Sequence, residues 1–296
     1  MTNEYSGRLA VIGGGIGKRV QLHIQFNLQQ NVIFTQHAHV QAGGLGSATA
    51  RRLHSHGAEV VLLYAPFERA RVQETVERVF GNASMEGVYT FETDITAEAS
   101  VKDVFERIGD LKTDAFPSIL INAAGYVSVQ SLEETSAEEA LKNFLPNLLG
   151  PLNCSNAFFH LYQRKAAELK KQTGEVSPPP GRIVSIASQA AHVALDGHGA
   201  YCASKAGLLG LTRCQASEWG PKSITSNTVS PTVTWTPLAA KAWADEEKKA
   251  KHLSEIPTGR FAVPDEVAAA IEFLCRDESG MINGSDVRVD GGFTIR

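Results

Sequence analysis

Short apolar runs alternate along this chain with longer stretches in which apolar residues recur every three or four positions. The runs at residues 9–12, 59–64, 88–92, 118–121, 182–185, 223–229 and 286–289 predict strands, and the segments between them predict helices. Strands alternating with helices require crossover connections. The pattern therefore implies an α/β fold, a doubly wound seven-stranded parallel sheet with helices on both faces. Local start signals agree. Ser136 followed by Glu139 forms a capping-box pattern, and Pro264 stands where the helix over 265–275 begins. Residues 172–181, with three consecutive prolines, predict an exposed connection.

Composition narrows the class. At 296 residues with 43% hydrophobic content, the chain is long enough to bury one large core, and a single domain over 1–296 is expected. The net charge of −4 and the lack of any long basic run argue against a nucleic-acid face or an anionic-membrane patch, which leaves small-molecule chemistry. Cys154, Cys202, Cys214 and Cys275 form no Cys-x-x-Cys pair and fall in helical segments, as free thiols of a reducing compartment do. No apolar leader opens the sequence and no stretch is long and apolar enough to span a bilayer, so a soluble cytoplasmic protein is expected, with no membrane partner.

In doubly wound sheets, ligands bind beyond the carboxyl ends of the strands, so glycine clusters there are informative. The first predicted strand runs into Gly13-Gly14-Gly15-Ile16-Gly17, while a second cluster, Gly43-Gly44-Leu45-Gly46, opens the next helix. One cluster normally does both jobs. Between them, Val20, Leu22, Ile24, Phe26 and Leu28 alternate with polar residues as a strand would, and residues 29–31 suggest a turn into 32–34. Removing residues 17–41 joins the halves into one loop containing Gly15, Gly44 and Gly46. Such a loop allows close backbone approach to a pyrophosphate at a helix N-terminus. Residues 17–41 thus read as an insertion in a phosphate loop, retained intron sequence being one source. Loop entropy tolerates the length, but preorganisation of the phosphate site suffers. His37 and His39 within it find no third ligand at metal-site spacing, and no metal is expected.

Tyr201 and Lys205 are spaced i and i+4, which puts a phenol and an ammonium on one helix face. A cation about 4 Å from a phenol is worth roughly 4 kcal/mol at an effective dielectric of about 20, enough to bring a group that titrates near 10 towards neutrality. A helix beginning near Gly199 would also place Tyr201 in the first turn, where the dipole favours a phenolate. Cys202 points away from that face and reads as packing.

With Ser188 upstream, these residues complete a series: the split glycine loop, Asp94-Ile95 after the third strand, Asn122-Ala123-Ala124-Gly125 after the fourth, Asn147 in Asn-Leu-Leu-Gly, and the stretch from Asn227 through Pro231 to Thr236. In this order the motifs resemble those of the short-chain dehydrogenase/reductase family, whose members are single-domain Rossmann folds. The resemblance covers nearly all of the chain except residues 17–41 and the proline-rich connection. It implies hydride transfer between a nicotinamide and a carbonyl carbon. Tyr201 would exchange the proton with the substrate oxygen, Ser188 would hydrogen-bond that oxygen, Lys205 would hold the nicotinamide ribose and acidify the tyrosine, and Asn147 would anchor a proton-relay water. Cofactor contacts would come from Gly15, Gly44, Leu45, Gly46, Tyr64, Asp94, Ile95, Asn122, Ala123, Gly125, Tyr201, Lys205, Pro231, Val233 and Thr236. Read from the residues alone, Asp94 also admits a reading as a helix cap and Asn122 as a turn-closing residue, and simple helix polarity accounts equally for Asn147.

Cofactor choice depends on the end of the second strand, where an acidic residue would bind the ribose 2′-hydroxyl. Tyr64-Ala65-Pro66 occupies that place and Arg69 and Arg71 stand nearby, so NADP(H) is preferred, with NAD(H) also admitted. The family's usual threonine before the first glycine is replaced by Gly14, and no basic residue of the NADP-preferring loop is evident outside residues 17–41. Thr232 after Pro231, Ile256-Pro257-Thr258-Gly259-Arg260-Phe261 and the ending Asp290-Gly291-Gly292-Phe293-Thr294 are similar to the xylulose and dicarbonyl reductase branch, which implies a small ketose or polyol such as xylulose/xylitol. Ser188, Gln189, His198 and Tyr201 would bind that substrate, under a lid at about 234–259 that carries Trp243. The resemblance also implies a homotetramer. Two rival readings stay open: a 3-oxoacyl or other carbonyl reductase of the same fold, and an inert assembly subunit whose cofactor loop the insertion disrupts.

Overall fold

The computed structural model describes residues 29–35, 44–81, 86–174 and 177–295. Its sheet contains β1 (Gln29–Thr35), β2 (Glu59–Tyr64), β3 (Val88–Glu92), β4 (Ala115–Asn122), β5 (Gly181–Ile186), β6 (Ile224–Pro231) and β7 (Asp286–Val289), in the order β3-β2-β1-β4-β5-β6-β7. Every neighbouring pair is parallel. The connecting helices are α1 (Leu45–Ser55), α2 (Val72–Phe80), α3 (Glu98–Gly109), α4 (Ala137–Phe144), α5 (Gly150–Thr173), α6 (Gly199–Trp219), α7 (Pro237–Ala242), α8 (Glu246–Glu255) and α9 (Pro264–Cys275). Helices α1 and α9 pack against each other, as do α3 and α5.

The strands from β2 onward fall where the apolar runs predict them. Residues 9–12 lie outside the described residues, and the place between β2 and β4 is taken by β1, from inside the stretch read as an insertion. Asn31 to Thr35 are in register with Glu59 to Leu63 on one side, and Gln29 to Thr35 span Ala115 to Asn122 on the other. The β1–β4 register shifts between Asn31 and Val32, where Asn31 faces Pro117 and Val32 faces Ile119. Pro117 has no N–H to give to a ladder, so an irregularity at this point is where a proline can enter an interior strand.

Burial on both faces explains the near-continuous apolar runs. Val60, Val61, Leu63, Ile119, Leu120, Ile121, Ile183, Val184 and Val229 are all buried in one core. Strand β6 is buried along its whole length yet rich in polar residues, most of which its neighbours satisfy. The Asn227 side chain donates to the Ile282 carbonyl at 2.8 Å and accepts from the Ser285 amide at 3.0 Å, while Thr228 and Ser230 donate to Asp286 at 2.6 and 2.7 Å. Between α1 and α9, the buried Glu272 carboxylate is held by Arg52 and His56. The proline-rich connection is less exposed than expected, because the buried Tyr162 hydroxyl donates to the Pro179 carbonyl at 2.9 Å.

The start signals act as read, with one difference. Ser136 accepts from the Glu139 amide at 3.1 Å, but the Glu139 carboxylate turns to Lys142 and Tyr126 and does not close the capping box. Pro264 opens α9, and the Glu266 carboxylate caps the Val263 amide at 2.9 Å.

Candidate active site

The chemistry-bearing residues converge at the carboxyl edge of β4, β5 and β6. Strand β5 ends at Ile186, and Ser188 follows in extended backbone, its hydroxyl accepting from the Ala190 amide at 3.1 Å. Helix α6 begins at Gly199, so Tyr201 sits in its first turn, with Lys205 one turn further along. The Ser188 hydroxyl acts on the Tyr201 phenol, favouring its ionised form against burial. The Lys205 amine donates to the Ile186 carbonyl at 2.7 Å and lies 5.9 Å from the centre of the Tyr201 ring.

Asn147 is fully buried in a single π-helical turn, Leu145–Leu149, which joins α4 to α5. Its side-chain oxygen accepts from the Tyr126 amide at 2.7 Å, and its nitrogen donates to the Tyr126 carbonyl at 2.8 Å and to the Ser204 hydroxyl at 2.9 Å. The asparagine thus ties the loop after β4 to α6. Gly125 completes the floor: a methyl group there would stand 3.4 Å from the Asn147 oxygen and 3.5 Å from the Lys205 amine. A glycine keeps this cradle open.

Electrostatics differ from the sequence expectation. Burial is the largest influence on Tyr201 and holds its phenol above the ordinary value, the Ser188 hydrogen bond opposing and Cys202 adding to it. Burial also pushes the Lys205 amine down, to about 8. The amine is spent on a carbonyl, stands over the ring face, and is itself driven towards its neutral form.

The other expected contacts divide. At α1, Gly44 is the N-cap in extended backbone and, as a glycine, gives no side-chain cap, and the first turn has no acidic residue. A helix N-terminus of this kind suits an anion such as a dinucleotide pyrophosphate. Gly15 lies outside the described residues, as do His37 and His39. Tyr64 ends β2, half-buried. Asp94 accepts from the Thr96 amide and hydroxyl at 2.9 and 2.7 Å, the turn before α3. Asn122 donates to Ser155 and Ser185 at 3.2 and 3.0 Å and so clamps β4 to β5 and α5. Ile95 is wholly buried against Gly150, where a methyl group would meet its Cδ1 at 2.5 Å. Ala123 packs at the edge of the core, Pro231 closes β6, the Val233 carbonyl accepts from the Ala262 amide at 3.2 Å, and Thr236 caps α7 through the Ala239 amide at 3.1 Å.

On the substrate side, the His198 ring meets Tyr201 edge-on at 6.4 Å, its Nδ1 2.7 Å from the Asp196 carbonyl. Among the described residues, the buried Gln189 side-chain oxygen has no hydrogen-bond partner, and neither has the buried Thr232 hydroxyl. Orphaned polar atoms of this kind are what a ligand would satisfy. The glycine cradle, the glycine N-cap of α1 and these orphans fit a bound dinucleotide and substrate. The segment expected to form a lid contains α7 and α8, with Trp243 in a cluster of rings that includes His252 and Phe261. Sequence reasoning missed Ser204 and Tyr126, whose roles exist only through Asn147, and it missed Glu92, which pairs with Arg69.

Among the described residues, no cluster of three or more His, Cys, Asp or Glu is placed to hold a metal, and no helix is long and apolar enough to cross a membrane.

Comparison with known proteins follows the same lines. Residues 40–294 match the family profile described as Enoyl-(Acyl carrier protein) reductase. The chain is 37% identical over 257 residues to a D-threitol dehydrogenase of Mycolicibacterium smegmatis, covering 86% of this chain and 90% of the relative. It is 35% identical over 274 residues to an NAD-dependent glycerol dehydrogenase of Listeria innocua, covering 92% and 96%. It is 32% identical over 250 residues to the L-xylulose reductase of Bos taurus, covering 84% and 92%. Among solved structures, a putative 2-deoxy-D-gluconate 3-dehydrogenase from Agrobacterium tumefaciens with bound NADP superposes with a TM-score of 0.69 at 26% identity, over 90% of this chain and 96% of that one. A matched profile over most of the chain, relatives above 30% identity and the Ser188, Tyr201 and Lys205 arrangement agree: the chain belongs to the short-chain dehydrogenase/reductase family.

Proposed function

We propose that this protein interconverts a ketone and the corresponding secondary alcohol of a small ketose or polyol of the xylulose/xylitol kind, with NADP(H) preferred and NAD(H) admitted. The observation that carries this is the convergence of Ser188, just after β5, with Tyr201 and Lys205 one turn apart on α6, the Lys205 amine standing over the Tyr201 ring. Oxidoreduction of a CH–OH/C=O pair is the chemistry of the family.

When bound, the nicotinamide supplies or accepts the hydride. In reduction, Tyr201 gives its proton to the substrate oxygen, and a phenol held above its ordinary value is loaded for that step at neutral pH. Ser188 donates to the same oxygen as negative charge develops on it, which is electrostatic stabilisation of the transition state. Lys205 replenishes the proton and holds the ribose hydroxyls. Asn147 fixes the loop that forms the floor. Gln189 and His198 take the hydroxyls of a polyhydroxy chain, the Gln189 oxygen being unpartnered without one. The lid at about 234–259 closes over the ligand. Relatives that act on threitol, glycerol and xylulose by name support the substrate class, and the NADP-bound neighbour and the NAD-dependent relative support both cofactors. A cytoplasmic homotetramer completes the proposal and rests on the resemblance alone.

The test is a panel of tetrose, pentose and hexose ketoses, their polyols and a 3-oxoacyl thioester, assayed with NADPH and NADH. Turnover of the ketoses, abolished in Tyr201→Phe, is expected. Preference for the thioester, or turnover unchanged in Tyr201→Phe, overturns the proposal.

A further inference from the structure

We propose that Arg69 and Glu92 together set the choice between NADP(H) and NAD(H), as a self-neutralised pair that a 2′-phosphate opens and a 2′-hydroxyl leaves closed. The proposal rests on the dinucleotide reading above and deepens it.

Tyr64, the last residue of β2, is in register with Glu92, the last of β3, and the Thr93 amide donates to the Tyr64 carbonyl at 2.9 Å. Both strand ends therefore lie at the edge where the adenosine ribose of a doubly wound sheet is read. The chain then enters a 3₁₀ turn, Pro66–Arg71. Glu68 points inward from this turn, 1% exposed, and accepts from the Ala65 amide at 2.9 Å. With Glu68 anchored, Arg69 is on the outer side and folds back over the end of β3. Its Nε meets one Glu92 oxygen at 2.5 Å and its Nη2 meets the other at 2.6 Å. This is a fork-on-fork pair that uses both carboxylate oxygens.

Each member alone would impose a preference. A free carboxylate at a strand end accepts from the ribose hydroxyls and repels a 2′-phosphate; a free guanidinium binds that phosphate through two charge-assisted hydrogen bonds. Paired, they cancel, with the Glu92 carboxyl held below its usual range and the Arg69 guanidinium held above its own, each chiefly by the other. The pair sits at the surface, the Arg69 side chain 73% exposed and the Glu92 side chain 26%. An exposed ion pair is worth only a few-fold in an equilibrium, so a phosphate dianion can take the fork from Glu92, whereas a neutral ribose hydroxyl has no reason to. The sequence shows a strand end without an acid at Tyr64. The fold brings one there from the neighbouring strand and neutralises it.

Binding to the protein without turnover tests this, using fluorescence titration with NADPH and NADH and calorimetry with 2′,5′-ADP and 5′-AMP. Arg69→Gln is expected to weaken NADPH and 2′,5′-ADP by about tenfold and to leave NADH within about twofold, because a charge-assisted contact is lost and Glu92 is left to repel. Glu92→Gln is expected to tighten NADPH by roughly threefold, the size of the exposed pair it removes. Wild-type binding with an unchanged NADPH-to-NADH ratio in both variants overturns the pair's role while the dinucleotide reading stands. Failure of the wild-type protein to bind any of the four probes overturns both.

Discussion

The amine of Lys205 donates to the carbonyl oxygen of Ile186 at 2.7 Å, while the Tyr201 ring it was expected to acidify lies with its centre 5.9 Å away. The lysine is buried with a single carbonyl partner, and burial brings its pKa to about 8 from an ordinary value of 10.5. A cation kept in such a place is a cost to the fold that function retains.

Replacing Lys205 by Met is therefore expected to abolish turnover and to stabilise the ligand-free fold near neutral pH. A pKa lowered in the folded state means that the unfolded chain binds the proton more tightly, so the cost is fully present below about pH 8 and disappears as pH rises towards 10.5. The proton term is on the order of 3 kcal/mol, and losing the Ile186 hydrogen bond offsets about 1 kcal/mol of it. Thermal melts of both proteins between pH 7 and about pH 10 check this. Curves that do not converge with rising pH contradict the burial account.

Asn147 makes three hydrogen bonds from a fully buried position. Asn147→Ala leaves the Tyr126 amide, the Tyr126 carbonyl and the Ser204 hydroxyl without that partner, and is expected to cost about 2–4 kcal/mol, since each stranded buried group costs about 1–3 kcal/mol before relaxation. Denaturant unfolding measures it. A loss below about 0.5 kcal/mol, the usual range of a surface change, would mean that the clasp does not hold the loop.

Deleting residues 17–41 removes β1 and joins residues 9–12 directly to the glycine cluster before α1. The vacated place lies between β2 and β4, and an interior strand position suits Leu9-Ala10-Val11-Ile12 better than Gln29-Gln30-Asn31. The shortened protein is expected to keep its circular-dichroism spectrum and to bind NADPH at least as tightly as the full chain. Loss of helical signal would show that Gln29–Thr35 cannot be replaced.

His252 lies among rings, 4.8 Å from Trp243, 5.0 Å from Phe293 and 6.0 Å from Phe261. Burial is the main influence lowering its pKa; Glu255 opposes it and Lys248 adds to it. The lid cluster is then intact while the imidazole is neutral and is destabilised as pH falls below the ordinary imidazole value of about 6.5. Indole emission from Trp243 is expected to fall over that range, because an imidazolium in contact quenches it, and His252→Phe is expected to remove the transition. The same transition in the variant would place its origin elsewhere.

Much of the architecture was legible because burial on both faces leaves strands such as 59–64 with hardly any polar position, and because caps such as Ser136 and Pro264 are local. Strand β6 was legible for a different reason: its β-branched residues mark it, although Asn227, Thr228 and Ser230 are satisfied by β7 and the turn before it and Ser226 by Gln215 of α6. The first strand was harder to read because two apolar segments each lead towards a glycine cluster, and among the described residues it is Gln29–Thr35 that pairs with both β2 and β4.

Spacing along one helix determined by itself that Tyr201 and Lys205 share a face, and motif order determined the family. Which partner each group took was decided by the tertiary structure. Ile186 claims the Lys205 amine, Tyr126 and Ser204 claim Asn147, and Arg69 claims Glu92 across two strand ends. Hydrogen bonds and ion pairs act over a few ångströms in space, so residues far apart in sequence acquire their chemistry only when the sheet sets its strand ends side by side.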